Sequence, residues 1–480
     1  MSPDTIIIIL ALVFGFYMAW SIGANDVANA MGTSVGSGAL TLKKAIIIAS
    51  ILEFAGAFLV GSHVSETIRK GIVDTSIFIG HADIFVYGML AALLTAAIWL
   101  QVASYFGWPV STTHSIVGSI LGFGILIGGV KAIHWGKIIS ITMSWVISPV
   151  LSATIAFILF NILRYKIYYQ PDPLKATKKL APYLIFSVFF VLTLVLLFKG
   201  LKNIHLNLSF LSATLIAVFV GIIAAFIGKS LINKIKDDVS VDNTSDSSDG
   251  EEWPGARLKF NIYRAQIRME HATHLAKGEL KERLSGILDS IKQVGSELYL
   301  DENVNIEKRN VQGVERIFAY LQILSASFVA FAHGANDVAN AVGPLAAIIT
   351  VIKTGMVSLK APVPPWTLML GGVGIVIGLA TWGWRVMMTI GKKITELTPS
   401  RGFAAEFSAA ITILLASKLG LPISTTHTLV GAVLGVGMAR GFTSLDVRVI
   451  RNIVVSWVIT IPVGSIGVVI IYHILKFIFM

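Results

Sequence analysis

Cysteine is absent from all 480 residues, which removes disulfide frameworks, thiolate metal sites and thiol nucleophiles together and leaves the redox compartment unreadable. Charge is nearly as scarce. Only 14% of the residues are Asp, Glu, Lys or Arg, where a soluble domain carries about 25%. With 55% hydrophobic residues and a mean hydropathy of +0.78, that shortage excludes a soluble globule and implies an integral membrane protein. The net charge of +11 comes from basic residues gathered mostly at the ends of apolar runs. Positive-inside topology places them there, so nucleic acid is not indicated as a partner. A basic n-region and a cleavage site are missing too: Met1-Ser2-Pro3-Asp4-Thr5 leads straight into the first apolar run, which reads as a first span and not as a removable signal.

What the chain does have is long apolar runs, near 5–22, 45–61, 84–104, 114–130, 138–163, 183–199 and 207–231, then 314–333, 366–391, 403–418, 424–440 and 453–475. Each is close to the roughly 20 residues that cross a bilayer as a helix. The expected fold is all-α, with about 12 transmembrane helices. Membrane repeat 1 covers 1–167, two linking helices 168–231, a hydrophilic insertion 232–312 and membrane repeat 2 313–480.

The word repeat rests on identity. Gly23-Ala24-Asn25-Asp26-Val27-Ala28-Asn29-Ala30 returns unchanged as Gly334-Ala335-Asn336-Asp337-Val338-Ala339-Asn340-Ala341, 311 residues later. Pro109-Val110-Ser111-Thr112-Thr113-His114 returns as Pro422-Ile423-Ser424-Thr425-Thr426-His427, 313 residues later. Seven crossings separate the repeat starts, and an odd number inverts the second repeat, provided that the short Gly-rich runs from 114 and 424 cross fully instead of re-entering. Outside the insertion, sixteen Lys and Arg fall on one face and ten on the other. The richer face is expected to be cytoplasmic in the plasma (inner) membrane, with both termini outside and the long loop inside.

The insertion is a different material. Residues 232–313 hold 12 Lys/Arg and 15 Asp/Glu, 27 of the chain's 65 charges. Residues 237–252 read as a disordered acidic linker. Leu280, Leu284, Ile287, Leu288, Ile291, Val294 and Leu298 recur at helical spacing and predict an amphipathic helix.

Outside it only 12 acidic residues remain, and Asp26, Glu53, Asp337 and Glu406 lie in or at the edges of predicted spans with no Lys or Arg at similar depth. A charge at the centre of a spanning helix costs roughly 2.5–3.5 kcal/mol. Cations, protons or a water-filled cavity must therefore neutralise these four. Asn25, Asn29, Asn336, Asn340 and the Ser-Thr-Thr hydroxyls surround them with hard oxygen, which suits sodium and not zinc or copper. The plain alternative is that Asn and Asp only cap a helix end.

Each Ser-Thr-Thr block follows Gly-x-Pro and precedes Gly-x-x-x-Gly-x-Gly: Gly118, Gly122 and Gly124, then Gly431, Gly435 and Gly437. Pro interrupts, the hydroxyls cap, and a new helix begins within the membrane, aiming free N–H groups at an anion. The glycines read as close helix packing. An anion beside several carboxylates requires positive charge to enter with it, which is the logic of a symporter.

His333 precedes the second octapeptide where the first has Ile22, and reads either as a proton or phosphate group or as a hydrogen-bonded packing residue; His114 and His427 either serve the site or satisfy nearby carbonyls. His271 and His274 lie in the insertion and read as solvated. Gly32-Thr33-Ser34-Val35-Gly36 fits the Gly-x-Ser-x-Gly pattern of a hydrolase, but the duplicate Gly343-Pro344-Leu345-Ala346-Ala347 has no serine. An enzyme is not expected.

The paired octapeptides, the Pro-Val/Ile-Ser-Thr-Thr-His blocks and Pro399-Ser400-Arg401-Gly402-Phe403-Ala404-Ala405-Glu406 resemble the inorganic phosphate transporter (PiT) family, with motifs from residue 23 to residue 437. The resemblance implies an inverted-repeat transporter that moves phosphate with sodium or protons. Carried over, Asp26, Asp337, Glu53, Glu406, Ser111, Thr112, Thr113, Ser424, Thr425 and Thr426 surround the substrate. Glu53 and Glu406 do not align at the repeat offset, so they are not equivalent.

The expectation is a sodium-coupled phosphate importer with phosphate held by the two Ser-Thr-Thr blocks, Asn29, Asn340, Asp26 and Asp337, and sodium by the Asp, Asn and Glu oxygens. No resident cofactor is implied; the sodium ions are cargo. Proton-coupled phosphate transport, sulfate symport, cation exchange and a channel stand as alternatives, and oligomeric state is open, a homodimer included.

Overall fold

The computed structural model describes residues 2–61, 72–78, 80–199, 208–233, 278–299, 303–357, 363–418, 423–441 and 445–479, with a few positions between 262 and 276. The acidic linker, His271, His274 and residues 419–422 lie outside them.

The described residues are helical nearly throughout. Helix α1, Pro3–Gly36, starts where Ser2 caps Thr5 with Pro3 in the first turn and Asp4 against the helix dipole. It does not stop at the first octapeptide. At 34 residues it is about 50 Å long, so Asn25, Asp26 and Asn29 lie in a helix interior, not at the end of a run, and cap nothing. The second octapeptide is likewise interior to α9, Asn303–Thr354.

Between them come α2 (Leu42–Val60), α3 (Ala82–Phe106), α4 (Thr112–Gly128), α5 (Trp135–Leu163), α6 (Pro173–Lys199), α7 (Phe210–Asn233) and α8 (Glu279–Tyr299). After α9 follow α10 (Pro365–Thr381), α11 (Trp384–Met388), α12 (Pro399–Lys418), α13 (Thr425–Arg440) and α14 (Val447–Phe479). The run predicted over 366–391 is broken: α10 and the segment Trp384–Lys393 meet at 55°. Gly383 stands at the break, pressed against Val27 and the Leu379 backbone.

Among the described residues seven helices are long and apolar enough to cross a membrane, and the bent pair makes up to eight. The remaining predicted spans fall on α2, α4, α12 and α13, helices of 19, 17, 20 and 16 residues. Large apolar side chains such as Val13, Val146, Phe219, Val458 and Ile470 are exposed along the long helices. Such surfaces suit lipid and not water. This is a multi-pass membrane protein.

Two compact units emerge, one holding residues 1–160, 184–224 and 318–480, the other 161–183 and 225–317. The second contains α8. The predicted amphipathic stripe is only partly used there: Leu288 is buried, while Leu280, Ile287 and Val294 are exposed.

The first unit holds both octapeptides, and its helices exchange backbone contacts in pairs. A Cβ on Gly23 would stand 2.0 Å from the Ile375 carbonyl oxygen, and one on Gly334 2.0 Å from that of Glu53. So α1 lies on α10 as α9 lies on α2. The same exchange recurs where Gly118 and Gly122 of α4 meet Ile461 and Ser465 of α14, and Gly431 and Gly435 of α13 meet Pro149 and Ala153 of α5. These glycines serve close helix approach. Gly334→Ala is expected to destabilise the protein by about 1–3 kcal/mol through overpacking. Thermal melting in detergent checks this; an unchanged midpoint would show that the contact yields freely.

Candidate functional site

The octapeptide side chains of α1 and α9 meet. Asp26, His333 and Asp337 place ligand atoms within 4.8 Å of one another, and all three are buried. His333, one turn before Asp337, brings its Nε2 to 2.6 Å from Asp337 Oδ2. It is thus a buried, paired histidine, which either reading of it allows. Asn336 donates to Asp337 Oδ1 at 3.2 Å, and Asn29 donates to Asp26 Oδ1 at 3.1 Å.

Both Ser-Thr-Thr blocks open a helix. Ser111 Oγ accepts from His114 N at 3.3 Å at the start of α4, and Ser424 Oγ from His427 N at 3.2 Å at the start of α13. Each start then reaches the octapeptide of the other repeat. Asn29 donates to Thr426 Oγ1 at 2.8 Å, and Asn340 to Thr112 Oγ1 at 3.2 Å. Thr426 in turn donates to Asp26 Oδ1 at 3.4 Å or to the Val110 carbonyl at 3.3 Å. The exchange is not strictly symmetric, because Thr112 is the first threonine of its block and Thr426 the second. Thr113 and Thr425 are half-buried.

Asn25 has a different task. Its amide nitrogen donates to Ser104 Oγ at 3.1 Å and the Trp108 carbonyl at 3.0 Å, and its oxygen accepts from Val110 N at 3.3 Å. It anchors the chain between α3 and α4, where Gly107 at φ +70 turns it toward Ser111. Left-handed backbone of this kind favours glycine.

The two glutamates contrast. Glu406 accepts from Thr33, from Ser34 at 2.9 Å, from Gln322 at 3.4 Å and from Ser325 at 2.7 Å. Ser34, the serine of the Gly-x-Ser-x-Gly pattern, sits inside a helix as a donor to a carboxylate, so no nucleophile elbow exists there. Glu53 is fully buried with neither oxygen hydrogen-bonded. Asp26 Oδ2 and Asn29 Oδ1 are buried and unpartnered as well.

Sequence reasoning missed Gln322, Ser325 and Ser104. They are ordinary polar residues outside both repeated motifs, and only their approach to Glu406 and Asn25 singles them out. It also left the histidines open: the His114 and His427 rings touch, with centroids 4.4 Å apart. His333, Asn336 and Thr425 line a cleft whose other walls, from Leu192, Phe328 and Ile413, are apolar.

Comparison with known proteins bears on this arrangement. The sequence profile of the phosphate transporter family matches residues 22–467. The chain is 44% identical over 456 residues to the chloroplastic inorganic phosphate transporter 2-1 of Arabidopsis thaliana, covering 95% of this chain and 70% of that protein. It is 42% identical over 468 residues to a candidate phosphate permease of Pyrococcus horikoshii, covering 98% of this chain and 97% of that one. A solved structure described as the sodium-dependent phosphate transporter superposes with a TM-score of 0.76 at 37% identity, over 98% of this chain and 99% of that one. With the twinned octapeptides meeting the twinned helix starts and a profile match that runs through both, the chain belongs to the phosphate transporter family.

Proposed function

We propose that the protein imports inorganic phosphate by symport with sodium, through alternating access around the site built from both octapeptides and both Ser-Thr-Thr helix starts. One observation carries the coupling: Asp26 Oδ2, Asn29 Oδ1 and both oxygens of Glu53 are buried acceptors without donors. A buried acceptor without a partner costs about 1–3 kcal/mol, more when charged. Sodium satisfies several such oxygens together and brings the positive field that an anion beside Asp26 and Asp337 requires. Phosphate then docks on the first N–H groups of α4 and α13, with Ser111, Thr112, Thr113, Ser424, Thr425 and Thr426 supplying hydroxyls. Asn29 and Asn340 join these starts to the carboxylates; Asn25 and Asn336 hold the frame around the cations, and Glu406 supports the site through α1. The sodium dependence named for the structural relative supports the choice of ion.

In the same reading α2, α4, α12 and α13 count as crossings, giving twelve spans in two inverted repeats. The site then lies at the bilayer midplane of the plasma (inner) membrane, with residues 232–312 cytoplasmic and both termini outside. Proton coupling is the second reading, favoured by the buried His333–Asp337 pair, which can hold a proton.

Radiolabelled phosphate uptake into proteoliposomes under an inward sodium gradient, an inward proton gradient or neither tests both. Sodium-driven uptake competed weakly by sulfate supports the first reading, and uptake driven by protons alone replaces it with the second. In the same assay Ser111→Ala and Ser424→Ala are each expected to raise the phosphate KM about tenfold with sodium activation unchanged. An unaltered KM in both would remove the caps from the anion site.

A further inference from the structure

Beside the two helix starts stand four rings, those of Trp145, His114 and His427 buried and that of Trp457 half-buried, that the transport reading leaves without a task. Ser144-Trp145-Val146-Ile147 recurs as Ser456-Trp457-Val458-Ile459, 312 residues later, so the tryptophans are twinned as the histidines are. The rings form one continuous stack. Trp145 and His114 have centroids 3.4 Å apart, His114 and His427 meet edge to face at 4.4 Å, and His427 stacks on Trp457 at 3.7 Å.

The stack is tied to both loops by main-chain atoms. The backbone N–H of each histidine is the group that Ser111 or Ser424 caps. Trp457, stacked on the histidine of the second start, donates from Nε1 to the Pro109 carbonyl of the first at 2.9 Å. His427 Nδ1 lies 3.5 Å from the Trp145 carbonyl. Each start is therefore held against the other through ring contacts formed by both repeats.

We infer that His114 and His427 are positioning residues for the transported anion, setting the separation of the two helix starts that hold it. This rests on the anion reading proposed above. A tetrahedral anion gripped from two sides needs its donors placed within about 0.5 Å, and neither start can fix that distance alone because they belong to different repeats. The contact acts as a spacer: loss of either ring releases both starts, and loss of the second ring adds little.

The test is equilibrium binding of radiolabelled phosphate, and of arsenate as the larger tetrahedral anion, to the purified full chain in sodium. His114→Ala and His427→Ala are each expected to weaken phosphate binding about tenfold. The double variant is expected to be no worse than about tenfold, with arsenate weakened less, so that discrimination narrows. His114→Phe and His427→Phe keep a ring and are expected to bind within about threefold of the native chain.

Unchanged affinity in the alanine variants, effects that multiply to about a hundredfold in the double variant, or phenylalanine variants as weak as the alanine ones would each overturn the spacer. Binding does not require a gradient, so the outcome is separate from the transport reading. A native chain that binds phosphate but is driven by protons removes sodium symport and leaves the spacer to be judged on the same variants. A native chain that binds neither anion removes both.

Discussion

Asp26→Asn is expected to abolish sodium-driven phosphate uptake while leaving the helical fold in place. The amide has the shape of the carboxylate and keeps an oxygen where Asp26 Oδ1 accepts from Asn29 and Thr426. It removes one of the negative charges that attract the cation. Breaking a buried ion pair by neutralising one member costs about 3–5 kcal/mol, which is a loss of about a hundredfold or more in affinity for the ion. Asp26 is a cleaner probe than Asp337, whose Oδ2 also holds His333, so Asp337→Asn disturbs a protein–protein pair as well as an ion. The decisive measurement is uptake against sodium concentration, with thermal melting as the control for fold. Full uptake at ordinary sodium would remove Asp26 from the cation site.

The two buried glutamates are expected to respond in opposite directions. Glu406→Leu leaves Thr33, Ser34, Gln322 and Ser325 facing an apolar side chain where all four now donate to a carboxylate. Losing such a network is expected to destabilise by about 3–5 kcal/mol, seen as a sharp fall in melting temperature or failure to accumulate. Glu53 has no hydrogen bond to lose. Glu53→Gln removes a buried charge that no protein donor satisfies by a hydrogen bond, so melting without sodium is expected to stay the same or rise, while the stabilisation that added sodium gives is lost. Melting curves of both variants with and without sodium separate the cases. Equal destabilisation, or a sodium response intact in Glu53→Gln, would contradict the division into a structural and an ion-binding carboxylate.

The contrast between these glutamates also shows where sequence reasoning stopped. The octapeptide and Ser-Thr-Thr offsets, 311 and 313 residues, place nothing acidic opposite either one. The backbone contacts supply the missing register. Gly56 of α2 meets the Phe331 carbonyl as Gly378 of α10 meets that of Trp20, and Glu53 covers Gly334 as Ile375 covers Gly23. The counterpart of Glu53 is therefore Ile375, 322 residues on, a match without identity that no motif reveals.

What the chain decides locally was legible. Scarcity of charge and long apolar runs announce membrane helices, because the bilayer penalises each unsatisfied polar group on its own. Serine before a helical run announces a cap, and Ser111 and Ser424 are both caps. Identity across the duplication marked Asp26, Asn29, Asp337 and Asn340 as residues worth placing together.

Tertiary structure decided the rest. That the octapeptides lie in helix interiors, that Asn25 serves the loop while Asn29 crosses to Thr426, that His333 pairs with Asp337 and that His114 meets His427 all depend on which helices approach and at what depth. Those approaches are set by backbone contact at small residues far apart in the chain, such as Gly334 on Glu53. A sequence records the residue types that permit such contact; the packing of all the helices selects which of the permitted contacts form.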